Sequence, residues 1–155
     1  MQFVEAKSAK IPAIGLGTWE LRGRACARLV EQALRLGYRH IDTAQIYENE
    51  AEVGSAIEKS GVKRGDIFLT TKVWMSNLEH KLFRPSVEES LRKLKTDYVD
   101  LLQLHSCSKK ILQKGECIKA LQKAKEEGKV RFIGYSGDGD DALYAIKTGA
   151  FDVLQ

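Results

Sequence analysis

Four residues of the kinds that move protons, Asp42, Tyr47, Lys72 and His105, fall at or just past the ends of successive apolar stretches. A lysine that faces inward from the end of an apolar strand must pair or lose its charge. Asp42 is the inward acid on the stretch before Lys72, so an Asp42–Lys72 pair is geometrically plausible. Tyr47 lies a short loop beyond Asp42. A free phenol titrates near ~10. An ammonium beside a phenol stabilises the phenolate, and a tyrosine so placed can give its proton to a developing alkoxide. His105 ends the next stretch and could orient or polarise a carbonyl oxygen. Together the four suit reduction of a C=O bond. No side chain donates hydride, so that chemistry requires a cofactor. Taken singly, each has a plainer role: Lys72 as a structural ion-pair partner, Tyr47 as a surface loop aromatic, His105 as a hydrogen-bonded core histidine. Four such residues at matching strand ends are hard to attribute to packing.

The elements that would position them alternate. Strands are predicted at 14–19 (IGLGTW), 38–44 (YRHIDTA), 66–74 (DIFLTTKVW), 98–105 (YVDLLQLH), 129–136 (KVRFIGYS) and 151–155 (FDVLQ). Between them, apolar residues at helical spacing predict helices over 24–36, 49–59, from Pro85 through Leu94, 116–127 and 140–148. Pro85 suits a first helical turn, and Asp138 or Asp140 could cap the last helix. Strict βα alternation implies parallel strands with right-handed crossovers. A doubly wound sheet and a barrel both satisfy that order, and side-chain parity separates them. His40 and Asp42 share a face, as do Thr70 and Lys72, and Gln103 and His105. Ile41, Leu69, Val73, Leu102 and Leu104 occupy the opposite faces. One polar side and one aliphatic side fit a barrel interior that rises to an active-site mouth. An open doubly wound sheet is covered by helices on both faces and should be apolar on both.

Bulk properties narrow the class. A chain of 155 residues, 43% hydrophobic and 30% charged, is expected to form one domain over residues 1–155. The net charge of +4 is spread along the chain, with no basic block of a nucleic-acid arm. No apolar run is long enough to span a membrane. The first residues lack the apolar region of a signal peptide. Cys26, Cys107 and Cys117 match no zinc or redox spacing. They are expected to be reduced thiols in a cytoplasmic protein, and no metal site is expected.

Five blocks, GLGTW (15–19), YRHIDTAQIYENEAEVG (38–54), LTTKVW (69–74), YVDLLQLH (98–105) and EEGKVRFIGYS (126–136), resemble the aldo-keto reductase family in content and order. The resemblance runs from about Ile11 to Gln155. It implies an α/β fold of the parallel TIM-barrel type and reduction of aldehydes or ketones with NADPH, less often NADH. It makes Tyr47 the general acid, tuned by Lys72 and Asp42, with His105 orienting the substrate carbonyl. It places Gly17, Thr18 and Asp42 beside the nicotinamide end of the cofactor, Ser136 and Gln155 on its carboxamide, and Trp19 and Trp74 as substrate-pocket walls. The other expected partner is a small carbonyl substrate, with no nucleic acid and no membrane.

Two departures stand out. Ser136 is followed by Gly137 where the family commonly has asparagine, and the stretch after His105 differs from the family's Pro-rich loop. Residues up to His105 resemble one bacterial subgroup and Ser106 to Ile146 another, as a truncated or recombinant member would. A full barrel of this type takes about 250 residues. The chain supplies five βα units and the start of a sixth strand, so the barrel is expected to be incomplete. The family's adenosine-phosphate and pyrophosphate loops are expected to be missing. Exposed edges invite pairing, and self-association into a homo-oligomer is expected. A non-catalytic partial barrel is the alternative. Gly137-Asp138-Gly139-Asp140-Asp141-Ala142 mimics a dinucleotide loop, but three aspartates oppose anion binding. It is read as a helix cap with solvated acids.

Overall fold

A computed structural model describes residues 2–155. An antiparallel hairpin, β1 (Phe3–Ala6) and β2 (Ala9–Pro12), comes first. The main sheet holds six strands: β3 (Leu16–Gly17), β4 (His40–Asp42), β5 (Phe68–Val73), β6 (Val99–His105), β7 (Val130–Ser136) and β8 (Val153–Leu154). They lie side by side in chain order and every pair is parallel. Helices α1 (Gly23–Arg35), α2 (Glu50–Ser60), α3 (His80–Leu94), α4 (Lys109–Lys114), α5 (Glu116–Glu126) and α6 (Gly139–Thr148) fill the crossovers. The result is a curled, partial (β/α) barrel.

Parity places the core. Ile41, Leu69, Val73, Leu102, Leu104 and Ile133 point outward and are buried against Val30, Leu34, Val53, Phe83, Val87 and Leu121 of the helices. The inner face is mixed. His40 Nε2 sits 3.1 Å from Thr70 Oγ1, and the Phe68 and Phe132 rings stack at 6.3 Å below them. At the N-terminal end of the strands, the fully buried Asp100 carboxylate accepts from Arg64 (2.8 Å), the Leu69 amide (2.9 Å) and Arg131 (2.5 Å), binding β5, β6 and β7 together. The hairpin lies beneath this end, where Phe3, Lys10 and Pro12 line one groove with Phe68 and Arg131.

Several expectations shift. The hairpin and α4 were not anticipated from the pattern, because both are short and largely exposed. The first strand pairs only at Leu16 and Gly17, against Ile41 and Asp42. The last pairs only at Val153 and Leu154. Pro85 lies in the second turn of α3, since the helix begins at His80. Its missing N–H removes the helical bond to the carbonyl of Lys81, an exposed residue. Asp138 occupies the N-cap position of α6 but makes no side-chain capping bond, and Asp140 lies inside the first turn. Asp141 instead accepts the Lys109 N–H at 2.6 Å, tying α6 to α4. Gly61 ends α2 in the left-handed region (φ +71°), a conformation glycine adopts freely.

Candidate active site

Parallel register brings the ends of β4, β5 and β6 to one rim. Gly17 lies opposite Asp42, Lys72 opposite Gln103, and His105 opposite Ser136. Lys72 is 2% exposed. Its ammonium donates to Asp42 Oδ1 at 2.5 Å and to the Thr43 carbonyl at 3.1 Å, and lies 3.5 Å from the Tyr47 hydroxyl. The expected Asp42–Lys72 pair is therefore formed, with the phenol at its third side. Tyr47 closes a single 3₁₀ turn, Gln45–Tyr47, just beyond β4.

An aromatic row continues from the phenol. The Trp19 and Tyr47 rings meet edge to face at 4.9 Å, Tyr47 and His105 at 6.0 Å, and His105 and Trp74 at 5.1 Å. Three of its members are followed directly by a non-glycine residue in the left-handed region: Glu20 (φ 62°), Glu48 (φ 54°) and Ser106 (φ 53°). Each such residue costs on the order of 1 kcal/mol, so the rim of the row is held against local preference.

Burial, and secondarily the Lys72 charge, hold the His105 imidazole below its usual value, with Asp42 opposing. His105 is thus neutral near pH 7. Its Nδ1 is buried without a partner, as is the second carboxylate oxygen of Asp42. A neutral imidazole carrying its proton on Nε2 leaves Nδ1 bare and supplies one N–H donor.

The residues matched to cofactor contact are spread from β3 to β8. Gly17 is exposed, and a Cβ there would meet no atom within 4 Å, so its backbone faces open space. Thr18 is fully buried, and its hydroxyl donates inward to the Asp42 carbonyl at 3.1 Å. Ser136 is half-buried beside His105. Gln155 is exposed at the far end of the row. Its backbone is held by Tyr135 and Gly137 at 3.0 Å each. Gln103, between them on the inner face, has a buried and unpartnered Oε1. Gaps in hydrogen bonding on the inner face, with open space over Gly17, fit a polar planar group laid across the strand ends. Among the described residues no three His, Cys, Asp or Glu side chains gather as a metal site.

The reading from sequence missed the residues that hold the site in place. Asn49 is fully buried. Its amide donates to the Thr18 and Leu21 carbonyls (2.8 and 3.0 Å), and its Oδ1 accepts the Thr43 hydroxyl at 2.7 Å. Gln45 accepts from the Trp74 amide (3.0 Å) and Asn77 (2.9 Å), and donates to Ser86 and Ser90. It thereby fixes the start of the loop that carries Trp74. Glu50 is buried and accepts from Thr71 (2.6 Å) and Ser90 (3.2 Å). Its burial pushes the carboxyl upward despite those bonds. The available signal was the density of polar residues in DTAQIYENE (42–50), too many for one loop to leave in water.

Comparison with known proteins gives a consistent result. Residues 13–153 match the model of the Aldo/keto reductase family. Methylglyoxal reductase DkgB from Yersinia pestis is 51% identical over 127 residues, covering 81% of this chain and 48% of the relative. A crystal structure of a putative 2,5-diketo-D-gluconic acid reductase B superimposes with a TM-score of 0.88 at 50% identity, covering 97% of this chain and 52% of that one. A Bombyx mori aldo-keto reductase solved in complex with NADP superimposes with a TM-score of 0.82 at 29% identity, over 94% of this chain and 54% of that one. The chain spans about half the length of these relatives.

Proposed function

Because this chain belongs to the aldo-keto reductase family, we propose that it carries the chemical half of a carbonyl-reducing site, with a small aldehyde or ketone as substrate and NADPH, less often NADH, as the reductant. The observation that carries this reading is the buried Lys72 ammonium, placed against Asp42 on one side and the Tyr47 hydroxyl on the other. A bound nicotinamide would supply the hydride. Gly17, Thr18, Asp42, Ser136 and Gln155 are the residues that would hold it.

Tyr47 donates its proton to the carbonyl oxygen as negative charge grows there. The Lys72 charge stabilises the phenolate that remains, and Asp42 holds the Lys72 side chain in place through its ion pair. His105, neutral and with one N–H donor, orients the carbonyl oxygen toward the phenol. Trp19 and Trp74 flank that position as walls of the substrate pocket.

The decisive measurement is NADPH oxidation by the purified chain with a panel of aldehydes, repeated with Tyr47→Phe. Loss of a general acid is expected to lower the rate by about 10²–10⁴-fold. Activity unchanged by the substitution would remove Tyr47 from the role. A second reading, a partial barrel that assembles without turning over, is supported by the open sheet, whose outer strands β3 and β8 each pair on one side only among the described residues. No activity together with no binding at millimolar NADPH would favour it. Either reading includes self-association through those edges.

A further inference from the structure

Hydrogen bonds join Lys72, Asp42, Thr18, Asn49 and Thr43 in a closed ring. The Lys72 ammonium donates to the Asp42 carboxylate and to the Thr43 carbonyl. The Asp42 backbone carbonyl accepts both the Thr18 N–H (2.9 Å) and the Thr18 hydroxyl (3.1 Å). The Thr18 carbonyl accepts from the Asn49 amide at 2.8 Å, and Asn49 Oδ1 accepts the Thr43 hydroxyl at 2.7 Å. Asn49 thus stands across the ring from Lys72. Its side chain bonds to neither Lys72 nor Tyr47. It reaches two of the ammonium's three neighbours, Thr43 directly and Asp42 through Thr18.

The chemistry of the partners fixes the Asn49 amide in one orientation. Carbonyl oxygens only accept, so the NH₂ group faces Thr18 and Leu21 and the oxygen faces the Thr43 hydroxyl. Asn49 is fully buried, and a partner lost there leaves a polar group unpaired. Thr18 also opens the segment that carries Trp19, whose ring meets Tyr47 edge to face. One amide therefore bears on two groups beside the phenol, the Lys72 ammonium and the Trp19 ring.

We propose that Asn49 is a positioning residue for carbonyl reduction, setting Lys72 and Trp19 against Tyr47 through Thr43 and Thr18. This role presupposes the carbonyl-reducing site proposed above. Asn49 neither gives nor takes the proton, which passes from Tyr47. The Lys72 ammonium approaches the Tyr47 hydroxyl at 3.5 Å, the outer limit of a hydrogen bond. A small displacement of Lys72 therefore removes that contact, and opening the ring at Asn49 permits the displacement.

Asn49→Asp keeps the acceptor and loses both donors, which cuts the Thr18 arm. Thr43→Val removes one hydroxyl and cuts the other arm with little change of shape. The full chain, the two single variants and the double variant are compared by two measurements. In aldehyde reduction with NADPH, each single variant should lose about 10–10²-fold in kcat with KM within about twofold. The double variant should match the slower single one, because a ring already cut opens little further. Amide hydrogen exchange needs neither cofactor nor turnover. In Asn49→Asp the Thr18 and Leu21 N–H groups should lose protection at least about fivefold, while β6 and β7 exchange as in the wild type. In Thr43→Val the same two amides should also lose protection at least about twofold, although Thr43 bonds to neither of them. If Asn49→Asp fails to fold, Thr43→Val carries both measurements. No turnover by the wild-type chain would sink the carbonyl-reducing reading. Coupled exchange at Thr18 and Leu21 would then still support Asn49 as the residue that sets the surroundings of Lys72. Unchanged exchange there in Thr43→Val, a raised KM with kcat unchanged, or additive losses in the double variant would each overturn the proposal.

Discussion

Lys72 is the residue on which the proposed chemistry and the local stability both depend. Its ammonium is almost wholly buried, and the Asp42 side chain it faces is 14% exposed. Removing one member of such a pair strands the other charge in a poorly solvated site. Lys72→Met is therefore expected to cost about 3–5 kcal/mol of stability by urea denaturation, and to lower any Tyr47-dependent turnover. The pair Asp42→Asn with Lys72→Met should regain most of the stability and none of the turnover. If the single and double variants are equally unstable, the pair is not what holds this rim. The imidazoles set a second expectation. His40 and His105 both sit below the ordinary imidazole value, burial being the largest cause in each. The unfolded chain then binds more protons than the folded one below about pH 6.5. Their contribution is full above that value and is lost as pH falls through 6.5 toward the folded values. The urea midpoint should drop between about pH 7 and about pH 5, and His105→Asn should flatten part of the slope. Glu50, raised by burial, acts with the opposite sign, its contribution fading as pH rises above about 4.5. A midpoint that rises on acidification would show Glu50 to outweigh both histidines.

At the scale of elements, the site depends on how closely α2 and α3 approach, because the loop that enters α2 carries Tyr47 and Asn49. Gly54 marks the closest point. A Cβ there would strike the Lys93 carbonyl oxygen and lie 2.7 Å from Leu94 Cα, both backbone atoms at the end of α3. Gly54→Ala gains helix propensity but must push the helices apart, and is expected to destabilise by about 1–3 kcal/mol in chemical denaturation. A stabilised Gly54→Ala protein would show that the helices separate without cost. The same elements mark what could be read without coordinates. Strand parity is rigid, so the alternation of His40, Asp42, Thr70, Lys72, Gln103 and His105 against Ile41, Leu69, Leu102 and Leu104 identified the inner face and the acid–lysine pair. Asn49 and Gln45 escaped because their bonds run to backbone groups of other loops, whose path no periodicity encodes. Pro85 was misplaced by one turn because a proline signals a helix start well, while α3 tolerates the lost bond on its exposed side. The β1–β2 hairpin escaped because Phe3 and Val4 are exposed, so burial imposes little pattern on it.

At the largest scale, the sheet formed by the described residues is open on both sides. β3 and β8 each have one pairing neighbour among the described residues, and unpaired backbone along a strand is a template for another chain. Both edges also carry exposed apolar side chains. Beside β3 these are Ile14 (72% exposed) and Leu36 (81%), and beside β8 they are Leu143 (48%), Ile146 (55%) and Leu154 (45%). Because all six strands are parallel, the β3 edge of one copy can meet the β8 edge of a second in parallel pairing. Two copies related by a two-fold axis satisfy both edges at once and close the assembly. The 155-residue chain is therefore expected to self-associate. Sedimentation equilibrium should give a weight-average mass that rises with concentration above the 17.4 kDa of one chain. Ile146→Lys or Ile14→Lys should return it toward that mass, because a lysine on either edge resists desolvation. A mass that stays at one chain across the concentration range, with cooperative unfolding, would mean that the two edges are protected without a partner. In that case the apolar side chains at 14, 36, 143, 146 and 154 would need another physical account.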